Sequence, residues 1–239
     1  MAEVNKESIR KERQDEFITN ISHDLRTPLT SIMGYLRLLR DVKYDNKEQH
    51  DEYIKIAFSK SEQLKNLIES LFEYTKLTNE NVVLKKQSIC MNDILDQLIK
   101  EVLPQAEERS LSFVKEFPDE QIYAVVDSEK IIQVFNQLLM NAIKYSEACG
   151  VIKVSLQRHQ NTIQIIVENP SEYLTEKELK SLFEPLYKKD QSRGIASGSS
   201  GMGLAFAKNI LNLQGGDICP NYKDGMIRFI ISLPMSAEL

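Results

Sequence analysis

The stretch Phe17-Ile18-Thr19-Asn20-Ile21-Ser22-His23-Asp24-Leu25-Arg26-Thr27-Pro28-Leu29 gathers side chains that can move a proton or accept an electrophile. A neutral imidazole with an ordinary pKa near ~6.5 is a usable nucleophile at neutral pH. A carboxylate beside it, here Asp24, can hold one ring N–H and leave the other nitrogen's lone pair free to attack. Thr27, one helical turn beyond His23, faces roughly the same side. Pro28 removes a backbone donor and clashes with the carbonyl of Asp24, so the helix is expected to kink or loosen beside the histidine. At ~100° per residue, Ile21 and Leu25 each lie about 200° from His23, which points the histidine off the apolar seam toward solvent. Taken alone, an exposed helical histidine is most often a plain surface residue, Asp24 an ordinary surface carboxylate, and Thr27 a hydroxyl back-bonding to its own helix. A mid-helix proline, at about 3 kcal/mol, makes a purely decorative role less economical.

A second group lies later. Asn141-Ala142-Ile143-Lys144-Tyr145-Ser146 puts an amide and an ammonium on a helix whose other face is apolar. Helix interiors do not favour Asn, and an amide oxygen is a hard, neutral ligand that suits Mg²⁺ shared with phosphates. The bland alternative is a solvated helix face. Gly198-Ser199-Ser200-Gly201-Met202-Gly203-Leu204-Ala205-Phe206-Ala207-Lys208 leads from a glycine-rich loop straight into a helical pattern. Glycines let backbone N–H groups approach phosphate oxygens, and a helix N-terminus attracts the same charge.

These residues need elements to hold them. Ile18, Ile21, Leu25, Leu29, Ile32, Leu36 and Leu39 recur at gaps of three or four, as do Tyr53, Ala57, Leu64, Leu67, Leu71 and Tyr74. Two long helices follow, with a turn at Tyr44-Asp45-Asn46-Lys47. One hairpin cannot cover both seams, and pairing two hairpins into a four-helix bundle does. From about Val82 the pattern changes to strands, expected over 82–89, 111–117, 122–126, 151–157, 163–167 and 226–232. Helices are expected between them, over 91–103, 128–145 and 202–213, the second capped by Asp127 or Ser128. This mixture predicts an α/β sandwich, one sheet covered on one face by helices. The polar run between Tyr187 and Met202 is expected to be a long functional loop.

Composition narrows the function classes. The 239 residues carry a formal net charge of −5, with 13 basic and 14 acidic residues up to Asn79 and 17 against 21 beyond it. Neither part is basic, which argues against direct nucleic-acid binding. Cys90, Cys149 and Cys219 form no C-x-x-C and suit a reducing compartment. No apolar run approaches the ~20 residues that span a bilayer, and the start is not of signal-peptide type. Any membrane segment is therefore expected to lie outside this chain.

Ser22-His23-Asp24-Leu25-Arg26-Thr27-Pro28-Leu29 resembles the H-box of sensor histidine kinases almost letter for letter. Asn141–Ser146 resembles their N-box, Gly198–Lys208 their G2 box, and Leu182-Phe183-Glu184-Pro185-Leu186-Tyr187-Lys188 their F-box. The resemblance implies a homodimeric hairpin domain over 1–79 and an ATP-binding domain of the histidine-kinase, gyrase and Hsp90 type over 80–239. It implies that His23 is phosphorylated from ATP and passes the group to an aspartate of a response regulator. Asp24 is then the acidic neighbour and Thr27 the residue that positions water for dephosphorylating the regulator. Asn141 becomes the Mg²⁺ ligand, Lys144 a phosphate contact and Tyr145 part of the adenine pocket. Tyr187, Lys188, Gly198, Gly201, Gly203 and Leu204 are carried over as further nucleotide contacts.

Two boxes depart from the family pattern. The G1 box normally supplies an Asp to the adenine amino group, followed by glycines. Here Asn169 takes the Asp position, while Ser171 and Tyr173 take glycine positions. Asn keeps one carbonyl acceptor without the charge, and a charge-assisted bond is about twice as strong. Gln137 replaces the first Asn of the N-box. In these features the chain looks closest to the glycopeptide-resistance sensors. The rival readings are a phosphatase-biased kinase, a non-enzymatic dimeric docking scaffold with a degraded nucleotide site, and an ATP-driven clamp, which leaves the H-box unexplained.

Overall fold

A computed structural model describes residues 2–78, 82–159, 161–189 and 201–235, with side chains from Ile18 in the first helix and up to Lys76 in the second. Two units emerge from the chain's contacts: Met1–Tyr74 with Pro185–Met202, and Thr75–Glu184 with Gly203–Leu239.

The first unit is a helical hairpin of α1 (Ala2–Arg40) and α2 (Lys47–Thr78). Val42, at φ 52°, turns the chain out of α1 as Lys43 N–H bonds back to the Leu38 carbonyl at 2.9 Å. Asn46 caps α2: its side-chain oxygen accepts from Gln49 N–H at 2.8 Å, while the Gln49 side chain accepts from Asp45 N–H at 2.7 Å. The helices run antiparallel, since the Tyr35 and Tyr53 rings meet at 5.3 Å near the loop while Ile21 and Leu25 pack with Leu67 and Leu71 farther from it. Much of the expected seam remains uncovered within one chain: Ile18, Leu29 and Leu36 are exposed, as are Met33, Ile54, Phe58 and Phe72. Among the described residues no helix is long and apolar enough to cross a membrane.

The second unit is the α/β sandwich. Its five-stranded sheet has the order β2 (Ser112–Glu116), β4 (Val151–His159), β5 (Thr162–Pro170), β7 (Met226–Pro234), β6 (Asp217–Lys223). β2 and β4 are parallel, and the remaining pairs are antiparallel. Strict alternation buries Ile152, Val154 and Leu156 on β4, Ile163, Ile165 and Val167 on β5, and Ile227, Phe229, Ile231 and Leu233 on β7. Helices α3 (Met91–Glu107), α4 (Ser128–Tyr145) and α6 (Gly203–Gln214) bury their apolar stripes in the same core, while the short α5 (Glu176–Ser181) starts at a capping box of Thr175 and Glu178.

Three details differ from the sequence expectation. β1 (Lys86–Cys90) and β3 (Tyr123–Asp127) pair with each other as a separate two-stranded sheet. β1 starts later than the apolar run at Val82, because Asp127 takes the Lys85 N–H at 2.8 Å and sets where pairing begins. β6 has no counterpart among the expected strands. It is an edge strand carrying Pro220, and a proline inside a run argues against reading that run as a strand.

Candidate functional site

Around His23, all contacts lie within the first unit. The imidazole is 74% exposed, and its Nδ1 lies 3.7 Å from Asp24 Oδ1, too far for a hydrogen bond. The other carboxylate oxygen of Asp24 accepts from Lys188 Nζ at 2.7 Å. Lys188, which the resemblance assigned to the nucleotide, therefore rests on the neighbour of the histidine. The Thr27 hydroxyl donates to the His23 carbonyl at 3.1 Å, the back-bonding arrangement weighed above. Pro28 is buried, and the Asp24 carbonyl lacks the N–H that position 28 would otherwise supply.

The residues around Lys188 are held firmly. Leu186 and Met202 are buried with Leu67 in a small apolar cluster with Ile21, Leu25, Leu71 and Tyr74. Leu186 N–H donates to the Gly201 carbonyl at 2.9 Å. Gly201 sits at φ 69°, and a Cβ there would lie 2.9 Å from the Leu186 backbone. Leu186 itself occupies φ 68°, a left-handed conformation that costs a non-glycine residue about 1–2 kcal/mol. Tyr187 is half-buried beside Lys188, and Gly198 lies outside the described residues.

The second unit holds the other candidates. Asp127 caps α4 by accepting from Lys130 N–H at 3.2 Å. Arg109, just beyond α3, donates to the carbonyls of Ile143, Lys144 and Ser146 and ties down the opposite end. That end carries Lys144, whose ammonium lies 5.4 Å from the Tyr145 ring centroid. Asn141 is half-buried and makes no side-chain hydrogen bond among the described residues, so its amide oxygen is available to a cation. One protein oxygen fits Mg²⁺, which keeps waters and takes phosphate oxygens. No cluster of three or more His, Cys, Asp or Glu exists among the described residues to hold a metal by itself.

α6 begins at Gly203, close under α4. A Cβ at Gly203 would lie 2.4 Å from Gln137 Oε1, so the longer Gln of the N-box uses the space a side chain would fill. Leu204 follows in the first turn, partly buried against the core. Phe183 of the F-box packs edge-on against Phe229 at 6.2 Å, with Lys208 4.9 Å from its ring.

Asn169, at the end of β5, is 1% exposed. Its Nδ2 donates to the Pro170 carbonyl at 2.9 Å, which settles the orientation of the amide. Oδ1 is left buried without a partner. An orphaned buried acceptor costs about 1–3 kcal/mol and calls for an explanation. A hydrogen-bond donor from outside the chain would satisfy it. Of the side chains replacing the G1 glycines, the Ser171 hydroxyl donates to the Glu172 carbonyl at 3.1 Å, and Tyr173 is 69% exposed with its ring 5.7 Å from that of Tyr222. Sequence reasoning missed Pro170 and Arg109; the Asn-Pro dipeptide was the available hint for the first, and nothing local marked the second.

Residues 13–80 match the family described as His Kinase A (phospho-acceptor) domain. Residues 126–237 match the Histidine kinase-, DNA gyrase B-, and HSP90-like ATPase family. The sensor protein VanSC of Enterococcus gallinarum is 37% identical over 228 residues, covering 95% of this chain and 63% of that protein. The sensor protein VanS of Enterococcus faecium is 31% identical over 231 residues, covering 97% and 60%. The chain thus spans about three fifths of the length of these curated relatives. In fold, it is similar to the histidine kinase ThkA, solved in complex with the response regulator protein TrrA, with a TM-score of 0.78 and 21% identity over 99% of this chain and 67% of that one.

Proposed function

We propose that this chain, which belongs to the sensor histidine kinases, transfers the γ-phosphoryl group of Mg-ATP to His23 and hands it to an aspartate of a response regulator. The single observation carrying the nucleotide half of the reading is the buried, unpartnered Oδ1 of Asn169 beside an amide held by Pro170. It also disfavours a scaffold with a decayed site, because a site released from nucleotide binding has no reason to keep an orphaned acceptor. The exposure of His23 supports its role as the acceptor.

In this reading Asn169 accepts the adenine amino N–H, Asn141 supplies an oxygen to Mg²⁺, and Lys144 contacts phosphate. The start of α6 offers backbone N–H groups to the same charge. His23 attacks phosphorus through the nitrogen whose lone pair is free. The bond to the bridging oxygen breaks, ADP leaves, and the ring proton passes to Asp24. Acceleration comes from positioning and charge neutralisation. Hydrolysis of the regulator's phosphate is a further proposed activity, in which the Thr27 hydroxyl, donating to the His23 carbonyl, accepts from a water and orients it. The exposed apolar residues of α1 and α2 support a two-fold dimer through the hairpin.

The test is incubation with γ-labelled ATP and Mg²⁺. The expected label is stable to base, labile to acid and absent from His23→Gln. Acid-labile label surviving in that variant overturns the assignment of His23.

A further inference from the structure

Two His-Asp dipeptides lie on helices of the first unit, and they differ in the separation of ring and carboxylate. His50 Nδ1 lies 3.0 Å from Asp51 Oδ1, within hydrogen-bond reach. His23 Nδ1 lies 3.7 Å from Asp24 Oδ1, outside it. Both are adjacent residues on a helix, so the local backbone permits the shorter contact. The His50 ring packs edge-on against Tyr44 at 5.0 Å, whereas at the His23–Asp24 pair the Lys188 ammonium holds Asp24 Oδ2 at 2.7 Å. Lys188 is only 15% exposed and follows Leu186 in the apolar cluster. A long side chain so confined fixes the orientation of the carboxylate it grips, and with Oδ2 held by the ammonium, Oδ1 stands 3.7 Å from the imidazole Nδ1.

We infer that Lys188 is a positioning residue for His23 that acts through Asp24: in the docked arrangement it holds the carboxylate away from the ring and keeps the histidine a poor nucleophile. The inference deepens the reading of His23 as phosphoryl acceptor and rests on it. Release of Lys188 lets the Asp24–His23 separation shorten by about 1 Å to hydrogen-bond length. Asp24 then accepts the Nδ1 proton, fixes the tautomer and leaves the Nε2 lone pair directed outward. The anchors of the brake are Leu186 and Met202, and the Leu186–Gly201 hydrogen bond closes it.

The experiment measures the nucleophilicity of His23 without nucleotide. The full chain is treated with diethyl pyrocarbonate at pH 8, and modification of each of its three histidines is followed by peptide mass spectrometry. His50 and His159 are internal standards. Lys188→Met is expected to speed modification of His23 by about fivefold, the equivalent of one net hydrogen bond. Lys188→Arg is expected to keep the wild-type rate, and Lys188→Met combined with Asp24→Asn to return to it. Equal rates in wild type and Lys188→Met overturn the inference. A rise that survives in the double variant also overturns it, since undocking rather than the carboxylate is then responsible. If all three histidines accelerate together in Lys188→Met, the variant has loosened, and Lys188→Gln carries the test by the same criteria. Failure of the kinase reading appears separately, as absence of label from γ-labelled ATP, and leaves these rates unaltered.

Discussion

Replacing Asn169 by Asp restores the family's usual residue, and the structure gives the change two opposite effects. Asn169 makes one bond, from Nδ2 to the Pro170 carbonyl, and presents Oδ1 as a buried acceptor. An ionised Asp keeps the acceptor and charges it, but sets its second oxygen against the Pro170 carbonyl. The lost bond removes about 1 kcal/mol, and a further buried acceptor without a donor costs about 1–3 kcal/mol. The variant without nucleotide should therefore be less stable by roughly 2–4 kcal/mol at pH 8. ADP binding should improve, since a charged acceptor contributes about 1.5–3 kcal/mol against about 0.5–1.5 for a neutral one. That difference bounds the gain at about tenfold. A protonated Asp instead donates to Pro170 as Asn does. Burial and the facing carbonyl raise the native pKa of this carboxyl above its unfolded value near ~3.9. The native state then holds the proton longer, so the variant's stability relative to wild type falls as pH rises through the native pKa. The assays are thermal unfolding at pH 5 and pH 8 and calorimetric titration with ADP at pH 8. Equal unfolding temperatures at both pH values, together with equal ADP affinities, refute the placement of this amide at the base.

Other expectations follow from separate parts of the molecule. His23→Gln should abolish autophosphorylation and leave ADP affinity within about twofold, because Asn141, Lys144 and Asn169 lie in the other unit; titration calorimetry and labelling check the two halves. Asn141→Ala should lower Mg²⁺-dependent ADP affinity and the rate of labelling by about tenfold or more, as a metal oxygen ligand is lost; wild-type labelling rates in that variant would exclude it as the ligand. The full chain should sediment as a dimer at micromolar concentration, and Phe58→Glu with Phe72→Glu, on the uncovered face of α2, should give monomer; dimers persisting in that variant would place the interface elsewhere.

Local pattern was enough for most of the elements. Apolar residues at gaps of three and four marked α1 and α2, and four buried positions of β7 follow the two-residue alternation visible in Ile227, Phe229, Ile231 and Leu233. Asp127 capping α4 was one of two caps readable from the residues before it. His23 facing away from the seam followed from its angle to Ile21 and Leu25. In each case the physical cause operates within a few residues, so the amino-acid order carries it.

The features that decide the site join residues far apart in the chain, and only the tertiary structure brings them together. Lys188 reaches Asp24 across 164 positions, Arg109 caps the end of α4 from 35 positions away, and Gly203 is close-packed by Gln137. Edge strand β6 took its place only because β7 offered a partner ladder, despite Pro220. Asn169 shows both levels at once. Its type told that an acceptor without charge replaces the usual carboxylate. Which atom of the amide is left without a partner depended on burial and on the direction of the Pro170 carbonyl, and those are set by how β5 and β7 pack into the folded sheet.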